Sequence, residues 1–203
     1  DASVLDVPAE YTAAIAESLK QTGLFDYVEP DYYGRTSGVP NDPSFGSQWH
    51  LTRIQTPQAW AVTTGSPAVV VAVIDSGVYA DHPDLQSKIV PGWSFVKNSA
   101  DTSDVLGHGT AVAGTVAAHS NNGIGVAAVT WGSLVMPLVA VDENDYAAYS
   151  NIAAAIIYAA DHGVRVINIS IGGPNASVTL QNAVDYAWSK GAVVFASAMN
   201  AGT

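Results

Sequence analysis

The chain has no cysteine. That excludes disulfide staples, thiol nucleophiles and thiolate metal sites, and it is compatible with either redox compartment. Basic residues are scarce: 7 Lys and Arg stand against 18 Asp and Glu, for a formal net charge of −11. So acidic a chain repels phosphate backbones and anionic lipid, which sets aside nucleic-acid and membrane partners. Long apolar runs are missing as well, because glycine and proline interrupt each of them short of a bilayer span. The first residues, Asp1-Ala2-Ser3-Val4-Leu5, do not read as a signal peptide. What remains is 203 residues, 48% of them apolar, enough for one α/β core.

Two segments carry chemistry. Val71-Ala72-Val73-Ile74-Asp75-Ser76-Gly77 reads as a buried parallel strand ending in an acid, since its apolar residues leave no polar face for water. Gly107-His108-Gly109-Thr110 sets a histidine between glycines at the head of a small-residue helix, where backbone or substrate can come close to the imidazole. An acid at a strand end and a histidine at a helix start are two parts of a nucleophilic triad.

Turn-forming residues from Gly34 to Pro43 mark a boundary between a segment 1–36 and a larger one, 37–203. Before it the pattern predicts a strand at Val4–Val7, an amphipathic helix from Pro8 to Leu24 with Ile15 and Leu19 on its stripe, and a second strand at Tyr27–Tyr33. After it, strands are predicted over 69–74, 134–141, 164–170 and 192–196, and helices over 108–118, 150–162 and 178–190. Ser150 is a candidate N-cap, and Gly163 and Gly191 stand where left-handed helix ends want glycine. The alternation argues for a three-layer, doubly wound α/β fold with a mostly parallel sheet. Sites in such sheets lie beyond the carboxyl ends of the strands, where Asp75, Ser170 and Asn200 fall.

Together with His82-Pro83-Asp84-Leu85, Asn121-Asn122-Gly123-Ile124-Gly125-Val126 and Ile167-Asn168-Ile169-Ser170-Ile171-Gly172-Gly173-Pro174, these segments resemble the subtilisin-like serine proteases, in that family's order and in the style of its thermitase-like or aqualysin-like branch. The resemblance implies a secreted, calcium-dependent, monomeric endopeptidase that cuts polypeptide substrates with an Asp-His-Ser triad. It makes Asp75 the acid that orients the histidine, His108 the general base and acid, and Asn200 the amide donor to the oxyanion. His82 becomes a structural residue beside the calcium site. Residues 1–36 become the C-terminal part of an α+β propeptide, the enzyme's own intramolecular inhibitor, although an ordinary αβ appendage has the same local pattern. Residues 37–203 become the N-terminal part of the peptidase domain.

By the same resemblance Ser170, Ile171 and Gly172 form the strand that pairs with substrate backbone, with Tyr146 on the opposite edge. Tyr149, Ile152 and Ile171 suit an apolar S4 pocket or, equally, core packing. Met199 stands where the family has a glycine of the S1 wall, so it is expected to narrow that pocket or shift Asn200. The calcium shell maps onto the side chains of Asp42, Asp84 and Asn122 with the backbone carbonyls of His119, Ile124 and Val126, an all-oxygen set suited to a hard cation. A plain Asn-Asn-Gly turn has the same local sequence.

The family's hydroxyl nucleophile sits in a Gly-Thr-Ser-Met-Ala type segment, and none occurs in the 203 residues. Ser76 adjoins the acid and Ser170 belongs to the substrate strand, so neither replaces it. The sequence therefore reads as an incomplete precursor, inactive by itself. A catalytically inactive relative acting as a peptide- or calcium-binding module is the alternative. A dinucleotide-binding enzyme is set aside, because no Gly-x-Gly-x-x-Gly follows the first strong strand.

Overall fold

The structure, a computed structural model, describes residues 3–30 and 38–200, and the chain divides into two units, Asp1–Thr36 and Ser37–Thr203. In the first unit a 3-10 turn leads into α1 (Thr12–Gln21), and Gly23, at φ +65°, follows its end. Ile15 and Leu19 are half-buried on one stripe, as an amphipathic helix requires. The strands predicted at Val4–Val7 and from Tyr27 do not form over the described residues. Val4, Leu5 and Tyr27 are exposed and make no ladder hydrogen bonds, and an extended segment becomes a strand only through a partner strand. Over 3–30 this unit is thus one helix between irregular segments, without the strands expected of an α+β unit; positions 31–33 of the second predicted strand lie outside the described residues.

The second unit is built on a parallel sheet of β1 (Val70–Asp75), β2 (Trp93–Ser94), β3 (Leu134–Val139), β4 (Val166–Ile169) and β5 (Val193–Ala196), in the spatial order β2-β3-β1-β4-β5. From β1 the chain grows to one side through β2 and β3, then crosses back to add β4 and β5 on the other. That reversal at β1 opens a crevice above the strand ends. The register makes the ends level: Asp75 pairs with Val139, Ile74 with Ile169, and Ile169 with Ala196. Every loop that leaves those ends therefore emerges on one rim.

Alternate residues of β1 feed opposite faces. Ala72 and Ile74 join Leu138, Ile167, Ile152 and Ile156 under α5 (Tyr149–Asp161) and α6 (Val178–Ser189), while Val73 and Val135 meet Ala113 and Ala117 of α4 (His108–Ala117). Alanines on α4 let it lie close to the sheet. Two short helices, α2 (Trp49–Arg53) and α3 (Thr56–Trp60), close a third cluster of Leu51, Trp60 and Ala127 against Phe45 and Trp131. One or two turns carry too little period to be read from sequence, and the two-residue β2 carries none.

Element ends in this second unit shift by one or two residues from the sequence reading, and two of the shifts have a local cause. Ser150 is not an N-cap: α5 starts at Tyr149, capped by the backbone of Ala148 without a side-chain bond. Strand β3 stops at Val139 because the next amides, of Ala140 and Val141, turn to the carbonyl of Asp75. No helix among the described residues is long and apolar enough to cross a membrane.

Candidate active site

Strand β1 delivers Asp75 to the sheet rim with only 1% of its surface exposed, and α4 begins at His108. What lets the two meet is glycine. The first turn of α4 lies on the carbonyl of Gly77, and a Cβ at Gly109 would collide with that oxygen and come within 3.1 Å of Asp75 Cβ. Gly77 itself, at φ +117°, has no room for a side chain, since its Cβ would meet Ser103 O at 2.6 Å. With the backbones this close, His108 Nδ1 lies 2.7 Å from Asp75 Oδ1. A carboxylate can only accept, so Nδ1–H donates and Nε2 is the free lone pair of the neutral ring. Nε2 has no hydrogen bond among the described residues, and the imidazole is 57% exposed. The hydrogen bond to Asp75 raises the His108 pKa above the ordinary imidazole value; burial opposes it, and the charges of Asp75, Asp145 and Asp104 add to the rise. Asp75 Oδ1 also accepts from the Ser76 amide at 2.8 Å, whereas Oδ2 is buried without a partner among the described residues.

Sequence reasoning passed over Asp104. Its Oδ1 accepts from Ser76 Oγ at 2.8 Å, Gly107 N at 2.9 Å and Leu106 N at 3.0 Å; its Oδ2 accepts from Thr110 N at 2.9 Å and from the Thr110 hydroxyl. Partial burial works to raise its pKa, and the hydrogen bonds from Thr110, Gly107 and Ser76 outweigh it and hold the carboxyl below the usual range. An acid just ahead of a glycine-led helix start is the signal that could have found it.

The pair heads a cleft of about 570 Å³. It is lined by Ser170, Ile171 and Gly172 after β4, by Ser197, Ala198, Met199 and Asn200 after β5, and by Asp145 and Ala147 from the loop after β3. The cleft thus gathers Asp75, His108, Ser170, Ile171, Gly172, Met199 and Asn200. Tyr146 does not line it: the residue is 74% exposed and follows Asp145, whose left-handed backbone at φ +64° turns the chain there, while Asp145 and Ala147 on either side do line the cleft. Of the two readings left open for Ile152, its 4% exposure inside the α5 cluster favours core packing, and it does not line the cleft. Tyr149 is half-buried, with its hydroxyl against Gly173 where a Cβ would collide. His82 and His119 lie elsewhere, His82 Nδ1 accepting from Asp84 N at 3.1 Å and His119 Nε2 bonding Gln86 O at 2.7 Å.

A second cluster gathers the oxygen-bearing residues. Asp42 and Asp84 are 4% and 2% exposed, and neither has a cation within ion-pair distance among the described residues. Asp42 Oδ2 accepts from Asn121 N at 2.7 Å and its Oδ1 from Asn122 N at 3.3 Å. Asp84 accepts from Asn122 Nδ2 and Val126 N, both at 2.9 Å. The carbonyls of His119, Ile124 and Val126 accept no hydrogen bond from described residues. Two buried carboxylates, an amide and spare carbonyls make a hard-oxygen set with no counter-charge of its own.

Comparison with known proteins agrees with this geometry. The pattern of the subtilase family, peptidase S8, matches residues 66–202. The chain is similar to the thermophilic serine proteinase of Bacillus sp. (strain AK1), 44% identical over 94% of this chain and 48% of that protein. It is also 44% identical to thermitase of Thermoactinomyces vulgaris, over 81% of this chain and 59% of that protein. A solved protease of Pseudoalteromonas arctica PAMC 21717 superimposes with a TM-score of 0.72 at 36% identity, covering 78% of this chain and 58% of its own. The chain thus spans about half the length of the curated relatives it matches. Because the family pattern runs through every residue of the cleft from Asp75 to Asn200, the chain belongs to the subtilase family.

Proposed function

We propose that the second unit supplies the acid, base and oxyanion donor of a calcium-dependent serine endopeptidase. The carrying observation is the 2.7 Å contact of His108 Nδ1 with Asp75 Oδ1, both lining the cleft. With Nδ1–H held by the carboxylate, Nε2 takes the proton of an attacking hydroxyl as the oxygen bonds to the peptide carbonyl carbon. Asp75 stabilises the imidazolium so formed, and Nε2 returns the proton to the leaving amine. The Asn200 amide would donate to the oxyanion, an interaction worth roughly 3 kcal/mol in such enzymes. Ser170 to Gly172 would pair with substrate backbone, and Ile171 would supply an apolar contact to a substrate side chain.

The hydroxyl comes from a segment outside these 203 residues: no described side chain bonds Nε2, and relatives carry about as much chain again. Residues 1–36 are read as the C-terminal part of an inhibitory propeptide, supported by the match to the Bacillus proteinase, which over 94% of the chain takes in most of them. Secretion follows from the same family reading. Calcium fits the buried pair Asp42 and Asp84, which would hold it together with the Asn122 amide oxygen and the carbonyls of His119, Ile124 and Val126; bound there, it neutralises charge and ties two loops.

The test is covalent labelling with a serine-directed fluorophosphonate, applied to the isolated chain and to the polypeptide extended to the length of its relatives. Labelling of a serine in the extended, propeptide-free protein only, abolished by His108→Ala, is expected. Failure to label that protein would sink the triad reading and favour an inactive peptide-binding relative, to which the methionine in the cleft also lends itself.

A further inference from the structure

The helix that carries His108 starts without a capping side chain of its own: its N-cap is Gly107, at φ +84°. Its catalytic imidazole therefore sits on the first residue of a helix, the place where helices fray. The free amides of that first turn have to find acceptors. Gly109 N donates to Ser76 Oγ at 3.0 Å, and Thr110 N and Gly107 N donate to Asp104, both at 2.9 Å. Ser76 Oγ in turn donates to Asp104 Oδ1, and the Thr110 hydroxyl, besides donating to Oδ2, accepts from Tyr79 N at 2.9 Å. One carboxylate thus ties the end of β1, through Ser76, and the loop after it, through Thr110 and Tyr79, to the start of α4. A negative charge there also favours the helix dipole.

We propose that Asp104 is a positioning residue for the acid–base pair, holding the first turn of α4 so that His108 Nδ1 stays on Asp75 Oδ1. Asp104 touches neither the imidazole nor the cleft; it acts through Ser76, Gly107 and Thr110. This rests on reading Asp75 and His108 as the working pair, yet it can be measured on the pair itself without turnover.

Three carboxylates raise the His108 imidazole pKa: Asp75 from β1, Asp104 from the loop before α4 and Asp145 from the loop after β3. That gives a control for simple charge, because Asp145 makes no hydrogen bond to α4. The experiment follows the imidazole resonances of the 203-residue protein by NMR, with His108 assigned from the signals missing in His108→Gln. In the parent, the low-field proton shared by Nδ1 and Asp75 should be visible and the titration midpoint high. Asp104→Asn should lose the low-field signal and lower the midpoint by roughly half a pH unit or more. Asp145→Asn should lower the midpoint and keep the signal. The proposal is overturned if Asp104→Asn keeps the signal, whether or not the midpoint falls, or if Asp145→Asn abolishes the signal too; either result would make Asp104 one charge among several. Should Asp104→Asn fail to fold, Thr110→Val removes one donor and keeps the shape; an unweakened signal there overturns the proposal equally. Failed fluorophosphonate labelling would instead sink the triad reading while leaving these resonances as they are.

Discussion

The thioether of Met199 lies over Gly172, filling the space that a Cβ at Gly172 would need. Both residues line the cleft, so the methionine side chain is housed by the missing side chain of the glycine. Met199 also adopts φ +63°, a left-handed backbone that costs a side-chain-bearing residue roughly 1 kcal/mol. Met199→Gly should therefore leave stability unchanged or slightly higher, since the side chain is 55% exposed and buries little. It should also widen the cleft toward bulky aromatic P1 residues. Urea unfolding reads the first effect, and a peptide-library profile of the extended enzyme reads the second. An unaltered preference in Met199→Gly would mean that the methionine swings out when substrate enters.

Two glycines of α4 should respond in opposite directions to alanine. Gly114 has nothing within 4 Å of a built Cβ, so Gly114→Ala removes a helix penalty of about 1 kcal/mol and should raise the melting temperature by about 2–4 °C. Gly109→Ala drives a Cβ into the Gly77 carbonyl, a backbone atom that cannot rotate away. It should cost about 1–3 kcal/mol and separate His108 from Asp75. Equal melting curves for the two variants would contradict the close approach of α4 to the strand end.

The raised pKa of His108 sets a sign for pH. The protonated ring is favoured in the folded state, so its contribution to stability is complete below the ordinary value of 6.5 and is lost as pH rises through the folded value. Catalysis runs the other way, because the base must be neutral. The stability difference between the parent and His108→Gln should thus shrink with rising pH above 6.5, while kcat/KM of the extended enzyme climbs along an acid limb centred above 6.5. Parallel stability curves for the two proteins would contradict the ion pair.

Calcium should stabilise by binding the native chain alone. At about 100 times its Kd the gain is about 2.7 kcal/mol, or about 5–10 °C for a chain of this size. Asp84→Asn should abolish that response, because the carboxylate accepts from both Asn122 and Val126 and is 2% exposed. Identical melting temperatures with calcium and with chelator would sink the site.

Motifs with rigid local requirements were legible in the chain. An apolar run ending in Asp75, a histidine framed by glycines and a glycine after α5 and α6 each encode their conformation within a few residues; Gly163 and Gly191 indeed adopt φ +73° and +83°. Features that depend on a partner were not. The strands expected around residues 4 and 27 have no ladder partner among the described residues, and a hydrophobic pattern does not encode its partner.

Sequence by itself determined the alternation of strands and helices and the residue types at the strand ends, because burial on both faces demands unbroken apolar runs and tight turns demand glycine. Tertiary structure alone decided which of those residues meet. The level register of β1, β3 and β4 puts Asp75, the 140–147 loop and the 170–172 segment on one rim, and it sends Ile152 into the core while Ile171 lines the cleft. Asp104 shows the same division. Its hydrogen bonds run to Ser76, Gly107 and Thr110, and the link to Ser76, 28 positions away, exists only once α4 has packed its glycine against the end of β1.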